Sequence, residues 1–153
     1  MRTHRGFTMV ELIVVIVVMA ILGAVAIPRL MDHRALQEMG FQDQLQAMMR
    51  HARKVAVSQQ RTVCVSLVTV PARQVEMVYA VGAAASCTGT AVEEPGSTTP
   101  FVTPIPPQLS FSGVTVVRFD ANGRPYPNNV DQNLTVGARV LRVSRETGLV
   151  YWP

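Results

Sequence analysis

The stretch Phe7–Ile27, FTMVELIVVIVVMAILGAVAI, is apolar almost throughout and carries a single charge, Glu11. At ~1.5 Å rise per residue, a helix of this length covers roughly 30 Å, the thickness of a bilayer's hydrocarbon core. The run therefore reads as a helix that either crosses a membrane or lies in the middle of a bundle of apolar helices. A plain membrane anchor accounts for its length but not for Glu11. A carboxylate about one turn into such a run costs roughly 2.5–3.5 kcal/mol on insertion scales, so a partner is expected. A cleaved secretory signal fits less well, because the run exceeds a signal's apolar core and no small-residue A-x-A site follows.

Outward toward the N-terminus, Met1–Gly6 reads MRTHRG, with Arg2 and Arg5 flanking the apolar run. The positive-inside rule then keeps the N-terminus in the cytoplasm and sends the C-terminal part across the membrane. Gly6 has no side chain, which leaves the adjoining backbone open to a protease or simply makes a flexible joint. The sequence Gly6-Phe7-Thr8-Met9-Val10-Glu11-Leu12 behind a short basic leader resembles the class III signal of type IV pilins and pseudopilins. The resemblance implies cleavage between Gly6 and Phe7 by a prepilin peptidase, N-methylation of Phe7, and extraction from the bilayer into a helical filament. It implies that Glu11 makes an assembly salt bridge with the new Phe7 ammonium of a neighbouring subunit. In a low-dielectric bundle those two charges would offset each other's desolvation cost. Pro28 stands where many type IV pilins carry a kinking proline.

Beyond Pro28 the pattern becomes mixed. Phe41, Leu45, Met48, Ala52 and Val55 recur at helical spacing, with Gln42, Arg50 and Arg53 among the residues on the other faces, so an amphipathic helix is expected to continue to about Ser58. Pro28 should bend it. Val63, Val65 and Leu67 then alternate within Arg61–Thr69, which reads as a strand, and Gln74–Val81 reads as its hairpin partner. Gly82–Pro107 is rich in small residues and proline and reads as a long surface loop with little periodic structure. Leu109–Phe111, Val114–Phe119, Leu134–Val136, Arg139–Ser144 and Leu149–Trp152 read as short strands, with turns at Asp120–Gly123 and Glu146–Gly148. The expected organisation is a leader over residues 1–6, a transmembrane or filament-core helix over 7–28, an amphipathic helical half over 29–60 and a β-rich head over 61–153. The fold class is α+β: a long N-terminal helix packed on an antiparallel β-sheet head.

The helix ending MRHARKVAVSQQ, the strand RTVCVSL, the VVRFDANGRP element and the terminal RVLRVSRETGLVYW resemble the heads of GspH/FimT-type minor pilins and pseudopilins. Minor pilins of mannose-sensitive-haemagglutinin-type pili belong to that group. The resemblance leaves Gly82–Pro107 uncovered. Cys64 and Cys87, an even pair downstream of the anchor, suit one disulfide in an oxidising compartment; the alternative is a buried Cys64 and a free loop thiol at Cys87.

The chain of 153 residues has a formal net charge of +4, and with Arg2 and Arg5 set aside the remainder carries about +2 (14 − 2 basic against 10 acidic). Without a local basic cluster this is no nucleic-acid signature. Arg139, Arg142 and Arg145 lie close together, with Arg118 and Arg124 upstream, but Thr147-Gly148-Leu149-Val150 stands where a DNA-binding relative would carry a GRxR motif. No functional nucleic-acid binding is expected. His33 and His51 form no HExxH, Ser66 sits in no GxSxG, and the cysteines form no CxxC, so no enzyme, metal or cofactor is indicated. The expected role is a minor pilin subunit of a type IV pilus. The alternatives are a minor pseudopilin of a type II secretion system and a DNA-uptake minor pilin. The expected partners are prepilin peptidase, other pilin subunits, the inner-membrane assembly machinery and membrane lipid. The expected location is the inner membrane with a periplasmic head, then the filament.

Overall fold

A computed structural model describes residues 8–30, 33–81, 86–126 and 130–153, with backbone alone for 25–30 and 33. The chain forms two compact units, Met1–Leu36 and Gln37–Pro153. Helix α1 spans Met9–Leu30 and helix α2 spans His33–Gln59. The backbone of Pro28 lies inside α1. The Pro28 side chain, residues 31–32, Gly6 and Phe7 fall outside the described residues.

In the second unit α2 turns one face inward. Phe41, Leu45, Met48, Met49, Ala52 and Ala56 are buried, and Val55 is half-buried at the margin. The stripe is wider than the sequence reading, because Met49 and Ala56 join it. Gln42, read there as a solvent-facing residue, is a correction: it is 2% exposed. Its Nε2 donates to the Val136 carbonyl (3.2 Å) and to Glu38 Oε1 (3.2 Å), and its Oε1 accepts from Arg139 Nη1 (3.3 Å). Those bonds satisfy the buried amide, so it sits inside at little cost. The helix stops at Gln60, whose φ of 52° puts it in the left-handed region. The Arg61 N–H then reaches back to the Ala56 carbonyl (3.1 Å), the pattern that satisfies a last helical carbonyl.

The head contains two antiparallel sheets where the sequence suggested one. The first comprises β1 (Val63–Val68), β2 (Gln74–Tyr79), β3 (Val102–Pro104), β5 (Val116–Phe119) and β6 (Pro125–Tyr126), in the order β3-β2-β1-β5-β6. The second comprises β4 (Phe111–Gly113), β7 (Gln132–Val136), β8 (Arg139–Val143) and β9 (Val150–Tyr151), in the order β4-β7-β8-β9. Their inward residues and the α2 stripe share one apolar core, with Val65, Met77, Val117, Phe119, Leu134 and Leu141 at most 2% exposed.

Within Gly82–Pro107, read as a loop with little periodic structure, β3 is a strand of 3 residues that pairs Gln74 with Pro104 and Glu76 with Val102. Pro104 has no N–H to donate, which an edge strand tolerates. The strand expected at Leu109–Phe111 begins at Phe111, and Leu109 is a buried loop residue. The turn after β5 forms as read: Asp120 Oδ1 accepts from the Asn122 and Arg124 N–H groups at 2.9 and 2.8 Å, and Gly123 takes a φ of 77°.

Candidate assembly surfaces

Among the described residues the side chains of α1 from Met9 to Leu22 are exposed. Met9 is 79% exposed, Ile16 59% and Leu22 64%, and the exposed residues follow one another in sequence, so, Glu11 apart, every face of this stretch is apolar. A helix apolar all round is stable only inside an apolar surrounding. Among the described residues no helix is long and apolar enough to cross a membrane. The described side chains of α1 fall short of the ~20 residues a bilayer core needs.

Glu11 is exposed near the start of α1. Its N–H donates to Thr8 Oγ1 (3.2 Å), and the Leu12 N–H donates to the Thr8 carbonyl (3.2 Å), so Thr8 is the N-cap and Glu11 occupies the third helical position. The spacing Thr8-x-x-Glu11 is that of a capping box, a signal present in the sequence and missed there. The position also places the carboxylate at the positive end of the helix dipole. Glu11 thus has a local role alongside any pairing with another subunit.

In the head, Cys64 and Cys87 are joined by a disulfide with their Cα atoms 5.8 Å apart. Cys64 is buried on β1, on the face away from Val63, Val65 and Leu67, so the bond pins the segment after residue 86 across the outer side of the first sheet. Arg118 Nε donates to Cys87 Sγ (3.3 Å) from the neighbouring strand. The chain then pairs along the β2 edge, with the Val92 N–H on the Met77 carbonyl (2.9 Å), and makes a small excursion closed by the Glu94 N–H on the Thr99 carbonyl (2.9 Å). A bond closing 23 residues restricts the unfolded chain by about 3–4 kcal/mol on the loop-entropy estimate. Denatured but unreduced protein is accordingly expected to take up no thiol label. The Cys64→Ser, Cys87→Ser double variant should lose stability of that order in denaturant titration, and two labelled thiols in the wild type would refute the bond.

Two of the arginines weighed for nucleic acid, Arg139 and Arg142, lie on opposite faces of β8. Arg139 stacks its guanidinium on the Trp152 ring (4.8 Å) while bonding Gln42, and Arg142 Nε donates to Asn133 Oδ1 (3.2 Å) on the other face of β8. Arg145 lies beside Glu146 at 3.9 Å. Trp152 packs against the core, with its Nε1 buried and without a hydrogen-bond partner among the described residues. Among the described residues no group of three or more His, Cys, Asp or Glu is placed to hold a metal.

The comparisons with known proteins bear on both units. Residues 1–27 match the family described as the prokaryotic N-terminal methylation motif. The fold matches two crystal structures of the Pseudomonas aeruginosa type IV minor pilin FimU. The first has a TM-score of 0.53 at 19% identity, covering 72% of this chain and 88% of that one. The second has a TM-score of 0.52 at 21% identity, covering 72% and 84%. The chain is type IV pilin-like. No curated protein matches this pilin-like sequence.

Two of the hollows that flank α2 in the pilin-like head have charged linings. One, of 390 Å³, is lined by Arg50, Arg53, Lys54, Val57 and Ser58. Arg53 Nε donates to the Gly123 carbonyl (3.2 Å) and Arg50 Nη2 to the Val150 carbonyl (3.4 Å), which fixes both cations beside the β5–β6 and β8–β9 turns. Gly148 is required there: its φ is 66°, and a Cβ would collide with the Gly123 carbonyl. The other, a 670 Å³ cleft, is lined by His51, Gln59, Tyr79 and the Thr90–Ser97 segment carrying Glu93 and Glu94. Burial, and then the nearby Lys54 charge, hold the His51 pKa below the usual histidine value. Its ring lies 5.5 Å from that of Phe101.

Proposed function

We propose that this chain is a filament subunit, a minor pilin of a type IV pilus. The carrying observation is the methylation motif of residues 1–27 leading into α1, an exposed helix apolar on every face, in a chain whose fold is that of a pilin. Prepilin peptidase cuts between Gly6 and Phe7, and Phe7 is N-methylated. Before assembly the apolar helix sits in the inner membrane among lipid, with the head in the periplasm; afterwards it packs in the filament core among other subunits. The Glu11 carboxylate there meets the Phe7 ammonium of a neighbour. Pro28 bends the helix so that the head can seat on the filament surface. The chain's chemistry is to be processed, extracted and packed, and it performs no catalysis of its own.

The disulfide supports the periplasmic placement of the head, since such bonds persist in oxidising compartments. Quantitative mass spectrometry of sheared surface filaments tests the role. The chain is expected in them well below the abundance of the main subunit, and its deletion should reduce pili while leaving protein secretion unchanged. Loss of secretion with normal pili would move the chain to the pseudopilus.

A further inference from the structure

The Cys64–Cys87 bond presents its two sulfurs unequally. Cys64 lies on the outer side of the first sheet, between Val78 of β2 and Arg118 of β5, and is 0% exposed. Cys87 lies over it in the segment after residue 86, half-buried, with exposed Ser86 and Thr88 on either side. Arg118, directly across from Cys64 on the neighbouring strand, turns its side chain so that Nε donates to Cys87 Sγ (3.3 Å). The guanidinium brings a positive charge to that sulfur. One sulfur of the bond is thus covered, and the other is accessible with a cation beside it.

Thiol–disulfide exchange is a displacement at sulfur, and its rate depends on which sulfur is attacked and on access to it. The incoming thiolate is an anion. A cation held beside the attacked sulfur draws it in and stabilises the negative charge spread over the reacting sulfurs. Access and charge therefore favour the same atom. We propose that Cys87 is the S-thiolation site of the folded head, that it takes thiols carrying negative charge, and that Arg118 positions them. In the step, the incoming sulfur bonds to Cys87 Sγ and the Cys64–Cys87 bond breaks. Its electron pair leaves on Cys64 Sγ, which takes a proton from water. The incoming sulfur is oxidised to the disulfide level and Cys64 is reduced to the thiol, so no further oxidant or reductant enters. The reverse step closes the bond through the same mixed disulfide: the Cys64 thiolate attacks Cys87 Sγ and expels the small thiolate. The site rests on the disulfide and its surroundings and holds apart from the filament reading.

Reduced glutathione, an anionic thiol, is the probe. Full-length oxidised protein, folded in detergent, is incubated with it near neutral pH, then quenched and blocked with excess N-ethylmaleimide. Cleavage at Arg61, Arg73 and Arg118 puts Cys64 and Cys87 on separate peptides. Mass spectrometry should find glutathione on the Cys87 peptide and maleimide on the Cys64 peptide, at least about tenfold above the reverse arrangement. Arg118→Gln should slow the reaction with glutathione about fivefold, the weight of one unit charge at about 4 Å in watery surroundings. The reaction with cysteamine, a cationic thiol, should not slow. Arg118→Lys keeps the charge and should keep most of the rate, and circular dichroism checks that both variants are folded. Glutathione on Cys64, equal amounts on both peptides, or a bond untouched under conditions that open it in denatured protein would overturn the Cys87 site. Equal slowing with both thiols, no slowing with either, or the faster reaction with both that a loosened strand would give would overturn the part assigned to Arg118.

Discussion

Replacing Glu11 by Gln is expected to leave cleavage at Gly6 intact and to remove the chain from filaments. Two roles for this carboxylate compete, and the substitution separates them. As the third residue of a helix capped by Thr8, Glu11 serves a local purpose that Gln performs nearly as well. As one member of an ion pair enclosed among apolar helices it has no neutral substitute. Removing one member of a buried pair costs about 3–5 kcal/mol because the other charge is left unpaired. Incorporation should then fall by about two orders of magnitude or more, at roughly tenfold per 1.4 kcal/mol. Thr8→Ala provides the contrast, since loss of a cap costs about 1 kcal/mol and should dent incorporation modestly. Immunoblotting of sheared filaments against the membrane pool reads both. Normal incorporation of the Gln variant would assign Glu11 to the helix start alone.

The second large effect lies in the head. Phe119 ends β5, is 0% exposed, and pairs with Val63 on one side and Pro125 on the other. Phe119→Ala should lower stability by about 3–5 kcal/mol, through lost apolar transfer and the cavity left where two sheets and α2 converge. That is a large share of the roughly 5–15 kcal/mol typical of a domain. Leu149→Ala, at a residue 51% exposed, should change stability by less than about 0.5 kcal/mol. Denaturant unfolding of the full-length chain in detergent, followed by the near-ultraviolet signal of Trp152 and the tyrosines, measures both. Similar midpoints for the two variants would show that Phe119 is not part of a cooperative core.

Much of the fold is legible in the residues because its signals are local. Alternation marks Val63–Val68, and Asp120–Gly123 and Glu146–Gly148 announce turns whose glycines take the positive φ those turns need. The stripe from Phe41 to Ala52 announces the buried face of α2. What the sequence hides is pairing at a distance. β3 is three residues long and includes a proline, so nothing periodic betrays it; its place is set by the β2 edge beside it. The division into two sheets is likewise a matter of which strands bond, which alternation does not encode. Gln42 looks solvated until Val136 and Arg139 are brought to it across more than ninety residues. The assembly features are legible in part. Glu11 stands out as a charge in an apolar run, whereas the cleft beside His51 needs the Thr90–Ser97 segment to be placed in space.

The central claim is that this chain enters a filament by way of a processed N-terminus, and an intact-mass measurement on protein extracted from native membranes tests it most directly. The account predicts one dominant species lacking Met1–Gly6, carrying one added methyl group on Phe7 and two hydrogens lighter for the Cys64–Cys87 bond. A full-length chain, unmethylated and yet present in filaments, would contradict it.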